Sequence, residues 1–160
     1  CSNPFLPEKT RHEWERYYKS DSRVRLVDRV QTQQEVAKIM STTNCGIFPS
    51  RAEGWNLELL EMMATGKHVI ATGYSAHTEF CTKDNCSIIP ITEKEPAFDG
   101  KWFFGQGNWA KLDERNILET SLMMGDFIEN RLGTVNEAGI ETAKKFSWDN
   151  TVNLIMKHLK

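Results

Sequence analysis

No apolar run in the chain approaches the roughly 20 residues that a membrane-spanning helix needs, so no span is expected. Positive charge is not in surplus either. Twenty Lys and Arg stand against 22 Asp and Glu, a net charge of −2, and no basic surface is left to invite nucleic acid. Cysteine is scarce: Cys1, Cys45, Cys81 and Cys86 are irregularly spaced, and His77, Cys81 and Cys86 fit no common zinc pattern. Reduced thiols in a cytoplasmic protein and no metal are the expectation. Cys1-Ser2-Asn3-Pro4 supplies neither the basic nor the apolar part of a signal peptide. No Ser-His-Asp or Cys-His set stands out, and Gly105-Gln106-Gly107 is not spaced as a dinucleotide fingerprint. What remains is a chain of 160 residues, suited to a single domain over 1–160 with a sizeable core.

The informative stretch runs from Ile47 to Phe80. Cys45, Ile47 and Phe48 read as a short buried strand, broken at Pro49-Ser50. An apolar helix of about a dozen residues follows and stops at Gly66, a suitable C-terminal cap. His68 to Ala71 is a second strand. Strand, turn, helix and strand make a βαβ unit, whose ligands gather at the carboxyl ends of the strands. Glu53 and Glu61 flank the turn, one just before the helix and one in it. Gly54 lets the backbone approach a ligand closely, and the N–H groups from Trp55 to Glu58 with the helix dipole suit a phosphate. On spacing alone, Glu53 reads equally as a capping charge and Glu61 as a solvated helix residue.

Elsewhere the pattern is plainer. Asn3 to Pro7 is extended or turned, and a helix is expected over Glu8–Lys19 with Trp14, Tyr17 and Tyr18 on one side. Arg23 to Val27 alternates as a strand, and Thr32-Gln33-Gln34-Glu35 is a capping box opening the next helix. Ser87 to Ile91 reads as another short strand. Residues 92–112 are the least regular: Glu93 to Pro96 is a charged loop, and Trp102, Phe103, Phe104 and Trp109 either pack that loop down or form a sugar platform. Asp113 is an N-cap. Ile117, Leu118, Leu122, Phe127 and Ile128 form a core-facing stripe, broken near Gly125 and ended near Gly133. A shorter helix runs from about Val135 to Lys145, and Phe146-Ser147-Trp148 resembles a step of the family named below, which implies that Ser147 caps the last helix.

Pro49, Ser50, Glu53, Gly54, Trp55, Leu57, Leu60, Glu61, Met63, Ala64, Gly66, Val69, Ile70, Ala71 and Thr72 stand in one register. That register resembles the nucleotide-sugar signature of retaining GT-B glycosyltransferases, especially the large family-4 group. The resemblance implies the C-terminal, donor-binding half of a GT-B enzyme: an α/β fold with a Rossmann-like parallel sheet flanked by helices. It implies a hexosyltransferase acting with retention on a nucleoside-diphosphate sugar, with no cofactor and no metal. By the same resemblance the diphosphate lies against Gly54, Trp55, Asn56 and Leu57, Glu61 meets the ribose, and Glu53 is the catalytic-site carboxylate near the phosphate or transferred sugar. Arg29 and Val30 mark the loop that meets the base. Ser75 and His77 lie in a loop above the strand ends, where Tyr74, Ser75 and Ala76 replace a frequent pair of glycines. Asn56 replaces another frequent glycine, and Lys67-His68 a frequent x-Pro.

The family's usual Arg and Lys, which neutralise the diphosphate, have no counterpart here, and the first strands of the domain are expected to be lacking. The helices over about 134–160 would cross towards a missing N-terminal acceptor domain, and this part alone is expected to be inactive. With sheet edges exposed, the expectation is that the chain self-associates, re-pairs its strands, or was cut from a longer chain. Two other readings stay open: a non-catalytic module that binds nucleotides or partners, and a sugar-nucleotide epimerase of the same fold.

Overall fold

The computed structural model describes residues 7–159. Asn3 to Leu6 and the side chains of Trp14 and Tyr17, on which part of the expected amino-terminal pattern falls, lie outside the described residues. The chain forms two compact units, Cys1–Ile39 and Met40–Lys160.

In the first unit, helix α1 spans Glu8–Lys19, the bounds its pattern predicts. Its end is followed by Asp21, whose carboxylate accepts bonds from the Arg23 backbone N–H at 2.9 Å and from the Arg23 guanidinium at 2.6 Å. Arg23 to Val27, expected as a strand, is not one. Alternation favours a strand only where a neighbour completes its ladder, and none of the described residues pairs with this segment. The capping box forms as predicted: Glu35 N–H donates to Thr32 Oγ1 at 3.2 Å, and Thr32 N–H to Glu35 Oε2 at 2.9 Å. It opens α2, Gln33–Thr42.

The second unit is built on a parallel sheet of β1 (Cys45–Phe48), β2 (His68–Thr72) and β3 (Ser87–Ile89), in that order. Gly46 pairs with Val69, and Ala71 with Ile88. Helix α3, Leu57–Ala64, joins β1 to β2 and is shorter than its apolar pattern implies. Leu59, Leu60, Met62 and Met63 bury its inner side against Val69, Ala71 and Phe80. The exit from α3 is set by Gly66, whose φ of +73° favours glycine and whose N–H donates to Met63 O at 2.9 Å. Among the described residues β1 has a partner on one side only, so the other side of its ladder is open.

Beyond β3 the structure departs from expectation. Residues 92–112 are not an irregular loop: β4 (Lys94–Phe98) and β5 (Phe104–Ala110) pair antiparallel as a hairpin. Pro96 obscures β4, because a residue without an N–H is tolerated in a strand only where that donor is not needed. The register shifts just after it, between Pro96 and Phe98. Asp113 caps α4, Glu114–Asp126, as predicted, with Asn116 N–H donating to its carboxylate at 3.2 Å and Asn116 Oδ1 accepting from Asp113 N–H at 3.0 Å. The expected core stripe is largely not core. Phe127 is buried, but Ile117, Leu118, Leu122 and Ile128 are exposed, because the residue that α4 buries is Asn116 and the π-helical turn after it buries Phe127. Asn116 Nδ2 donates to Pro90 O at 2.8 Å and fixes that orientation. Gly125 does not break α4, which gives way at Phe127–Arg131 to a turn of π-helix. Helix α5, Glu137–Lys145, packs beside α3. Ser147 caps α6, Trp148–His158, none of whose residues is buried.

Candidate functional site

The site is assembled where β1 and β2 end. Past Phe48 the chain turns at Pro49, and Ser50 is held on both sides. Its carbonyl accepts from Thr72 Oγ1 at 2.6 Å, and its own hydroxyl donates to Glu53 Oε1 at 2.7 Å. Ser75 then closes on the main chain of Glu53, its hydroxyl donating to the carbonyl at 2.7 Å and accepting from the N–H at 3.3 Å. Ser75 itself adopts φ +59°, in the left-handed region where glycine is ordinarily favoured. The cost of that backbone is offset locally by the two bonds to Glu53.

Asn56 is the pivot. Its φ of +72° and ψ of +71° are left-handed, and Asn tolerates this better than other residues with a side chain. Its Oδ1 caps α3 by accepting from Leu59 N–H at 3.2 Å. Its amide nitrogen lies 2.9 Å from His77 Nε2, and His77 Nδ1 lies 2.9 Å from Thr72 O. A neutral ring protonated on Nδ1 satisfies both contacts: it donates to the carbonyl and accepts from the amide. His77 is 0% exposed. Both ring nitrogens of this residue, which the resemblance sets near the ligand, have partners inside the protein.

Trp55 also turns inward. Its ring packs 5.4 Å from Phe80 and 5.3 Å from Phe146, against the core. Gly54 is open, with nothing within 4 Å of an added Cβ, and Leu57 is an exposed first residue of α3. Among the described residues, no hydrogen bond engages the N–H of Gly54, Trp55, Leu57 or Glu58. Glu61 is exposed on α3. Arg29 and Val30 belong to the first unit, before α2.

The hairpin adds residues that the sequence pattern missed at this end of the sheet. Arg51 O accepts from Ala110 N–H at 2.8 Å, and the Arg51 guanidinium pairs with Glu95 and sits 4.6 Å from the Trp109 ring centre. Tyr74 Oη donates to Asn108 O at 2.9 Å. The Arg51 cation in the turn is therefore already engaged by a carboxylate and a ring. No group of three His, Cys, Asp or Glu among the described residues is placed to hold a metal.

Parallel strands, a capped helix start and open N–H groups at the strand ends can receive an anionic ligand. Comparison with known proteins agrees with that architecture. Sucrose-phosphate synthase from Thermosynechococcus elongatus matches with a TM-score of 0.66 at 20% identity, over 99% of this chain and 35% of that one. The likeness is one of fold: a Rossmann-like sheet of the GT-B kind, with this chain spanning about a third of the matched protein. Among curated protein sequences nothing matches. The sequence model described as Glycosyl transferases group 1 matches residues 6–98, more than half of the chain. The chain belongs to the family of glycosyl transferases group 1.

Proposed function

We propose that this chain binds the sugar-nucleotide donor of a glycosyltransferase that moves a hexose to an acceptor with retention. The observation that carries the reading is the start of α3. Unengaged N–H groups at Gly54, Trp55, Leu57 and Glu58 stand beside an Asn56 cap, at the carboxyl end of β1. A diphosphate lies against that turn, where backbone dipoles stabilise the charge that grows on the leaving group, without a metal. Glu61 accepts from ribose hydroxyls, and Glu53, already oriented by Ser50, stands near the phosphate or the transferred sugar. Ser75 and His77 act by holding Glu53 and Asn56 rather than by touching the ligand.

A second domain supplies the acceptor site, with the helices over about 134–160 crossing towards it, and this chain alone does not turn over. The protein works in the cytoplasm, and no helix among the described residues is long and apolar enough to cross a membrane. In isolation, copies associate through the open side of β1, where Ile47 is exposed. Sedimentation that finds only monomer would remove that last point. The donor site is tested by calorimetry with UDP-, GDP- and ADP-sugars on wild type and Glu61→Ala. Binding of one base class, weakened about tenfold or more by the substitution, supports it, since a hydrogen bond to a charged group is worth about 1.5–3 kcal/mol. Binding by none, or binding that Glu61→Ala leaves untouched, sinks it.

A further inference from the structure

We infer that Cys81 and Cys86 are a reversible thiol–disulfide site: a peroxide joins the two sulfurs, a dithiol parts them, and the bond locks the loop between β2 and β3. The inference is independent of the donor-site reading.

The backbone brings the pair together. Thr82, Lys83 and Asp84 form an exposed tip between the two cysteines, and the turn is bonded across its base. Asn85 Oδ1 accepts from Thr82 N–H at 2.8 Å, and Thr82 O accepts from the N–H of Asn85 at 3.3 Å and of Cys86 at 3.0 Å. A turn closed in this way sets Cys81 opposite Cys86, and their free thiols meet in a hydrogen bond. Both side chains belong to the core cluster that contains Phe80, and they are only 9% and 4% exposed. The far side of the turn is anchored as well. Asn85 Nδ2 donates to Phe80 O at 2.9 Å and to Thr142 Oγ1 at 2.8 Å, and Asn136 Nδ2 donates to Asn85 O at 2.9 Å. These bonds hold the two cysteines in register while the sulfurs react.

Cys45 is no competitor. It lies on β1, and Cys86 directly precedes β3, with β2 between the two strands. Two strand spacings separate such positions by about 9–10 Å, beyond the ~7 Å between Cα atoms that a disulfide spans.

The two thiols are unequal. Cys86 donates its hydrogen to Cys81, which holds the Cys81 thiol below its usual range, whereas that same bond and burial push Cys86 up. Cys81 is therefore the attacking sulfur. Its thiolate takes one oxygen of hydrogen peroxide, the O–O bond breaks, and hydroxide leaves with the proton that Cys81 gave up, as water. The Cys86 sulfur then attacks the Cys81 sulfenic acid. The S–S bond forms, the S–O bond breaks, and a second water carries off the Cys86 proton. Each sulfur gives up one electron and the peroxide takes both. A dithiol reverses the change by exchange, becoming a disulfide itself. Cys81 N–H donates to His77 O at 2.8 Å, and Cys86 leads straight into β3. The closed bond therefore ties the end of the loop that carries His77 to the start of the last parallel strand.

The experiment treats the native chain with hydrogen peroxide, blocks it with N-ethylmaleimide in urea, and digests it with trypsin, which cuts after Lys83 between the two cysteines. The expected product is a joined pair of peptides, His68–Lys83 and Asp84–Lys94, lighter than their sum by two hydrogens and separated by dithiothreitol. In Cys86→Ser, dimedone should label Cys81, because no thiol remains to displace the sulfenic hydroxyl; in wild type that label should be lost. Amide exchange over residues 77–87 should slow in the oxidised chain and recover on reduction. Each variant is checked by circular dichroism, and the peptide and exchange measurements need only wild type. No joined peptides, a Cys81 that runs on to sulfinic acid beside a free Cys86, a bridge through Cys1 or Cys45 in their place, labelling of Cys86 in Cys81→Ser but not of Cys81 in Cys86→Ser, or exchange indifferent to oxidation overturns the site.

Discussion

Asn56 and His77, 21 positions apart, meet at 2.9 Å inside a helix cap whose backbone is left-handed. The pair joins two demands that a glycine would meet only in part. Glycine would accept the backbone angle, but it would offer no oxygen to the Leu59 N–H and no amide to the buried imidazole.

The first prediction tests that pairing. His77→Phe leaves the Asn56 amide buried without its acceptor and should cost about 1–3 kcal/mol in urea unfolding. Asn56→Gly in the same protein should recover part of the loss, because it removes the orphaned amide and tolerates the positive φ. Strictly additive costs in the double-mutant cycle would show that the two residues act independently.

Removing the Arg51 side chain should loosen the hairpin more than it destabilises the unit. The Arg51–Glu95 pair is partly exposed and the contact with Trp109 is modest, each worth about 0.5–1 kcal/mol. Arg51→Ala is therefore expected to raise amide exchange across β4 and β5 while β1, β2 and α3 keep theirs. Uniform loss of protection would show instead that the hairpin and the sheet open together.

Alkaline pH should weaken the fold through a half-buried thiol. Burial pushes the Cys45 thiol up from 9.0 to about 11. The folded chain thus holds this proton more tightly than the unfolded chain does. That contribution is complete below pH 9 and is lost as pH rises through about 11. The free Cys86 thiol, hydrogen-bonded to the Cys81 thiol and buried, is pushed in the same direction. A urea midpoint that falls across this window, with a shallower fall in Cys45→Ala, is the expected outcome; parallel profiles would assign the fall to other groups.

Much of the central unit is legible in the sequence because its signals are local. The apolar run at Cys45–Phe48, the stop at Gly66 and the run from His68 each announce an element without reference to the rest of the chain. The hairpin is not legible for the converse reason: Lys94-Glu95-Pro96 and Gly105-Gln106-Gly107 carry loop chemistry, and only pairing makes them strands. In α4 the period shows an apolar side, but period alone does not say whether anything covers it, and Leu118 and Leu122 are exposed. At the site, the register picks out Glu53, Gly54 and Glu61 as positions. It does not foretell that Trp55 turns into the core or that His77 is consumed by Asn56, since those contacts span distant parts of the chain. Asn56 and Ser75 did leave a trace: both stand where glycine is frequent in the family, and both have left-handed backbones.

The clasp between Ser75 and Glu53 ties the turn after β1 to the short 3₁₀ helix Ser75–Glu79 after β2. Two loops that would otherwise fluctuate separately become a single stiff floor. A ligand settling there has little chain to order, so less of its interaction is spent on lost conformational freedom. Its association should then be quick and insensitive to the slow loop rearrangements that delay induced-fit sites.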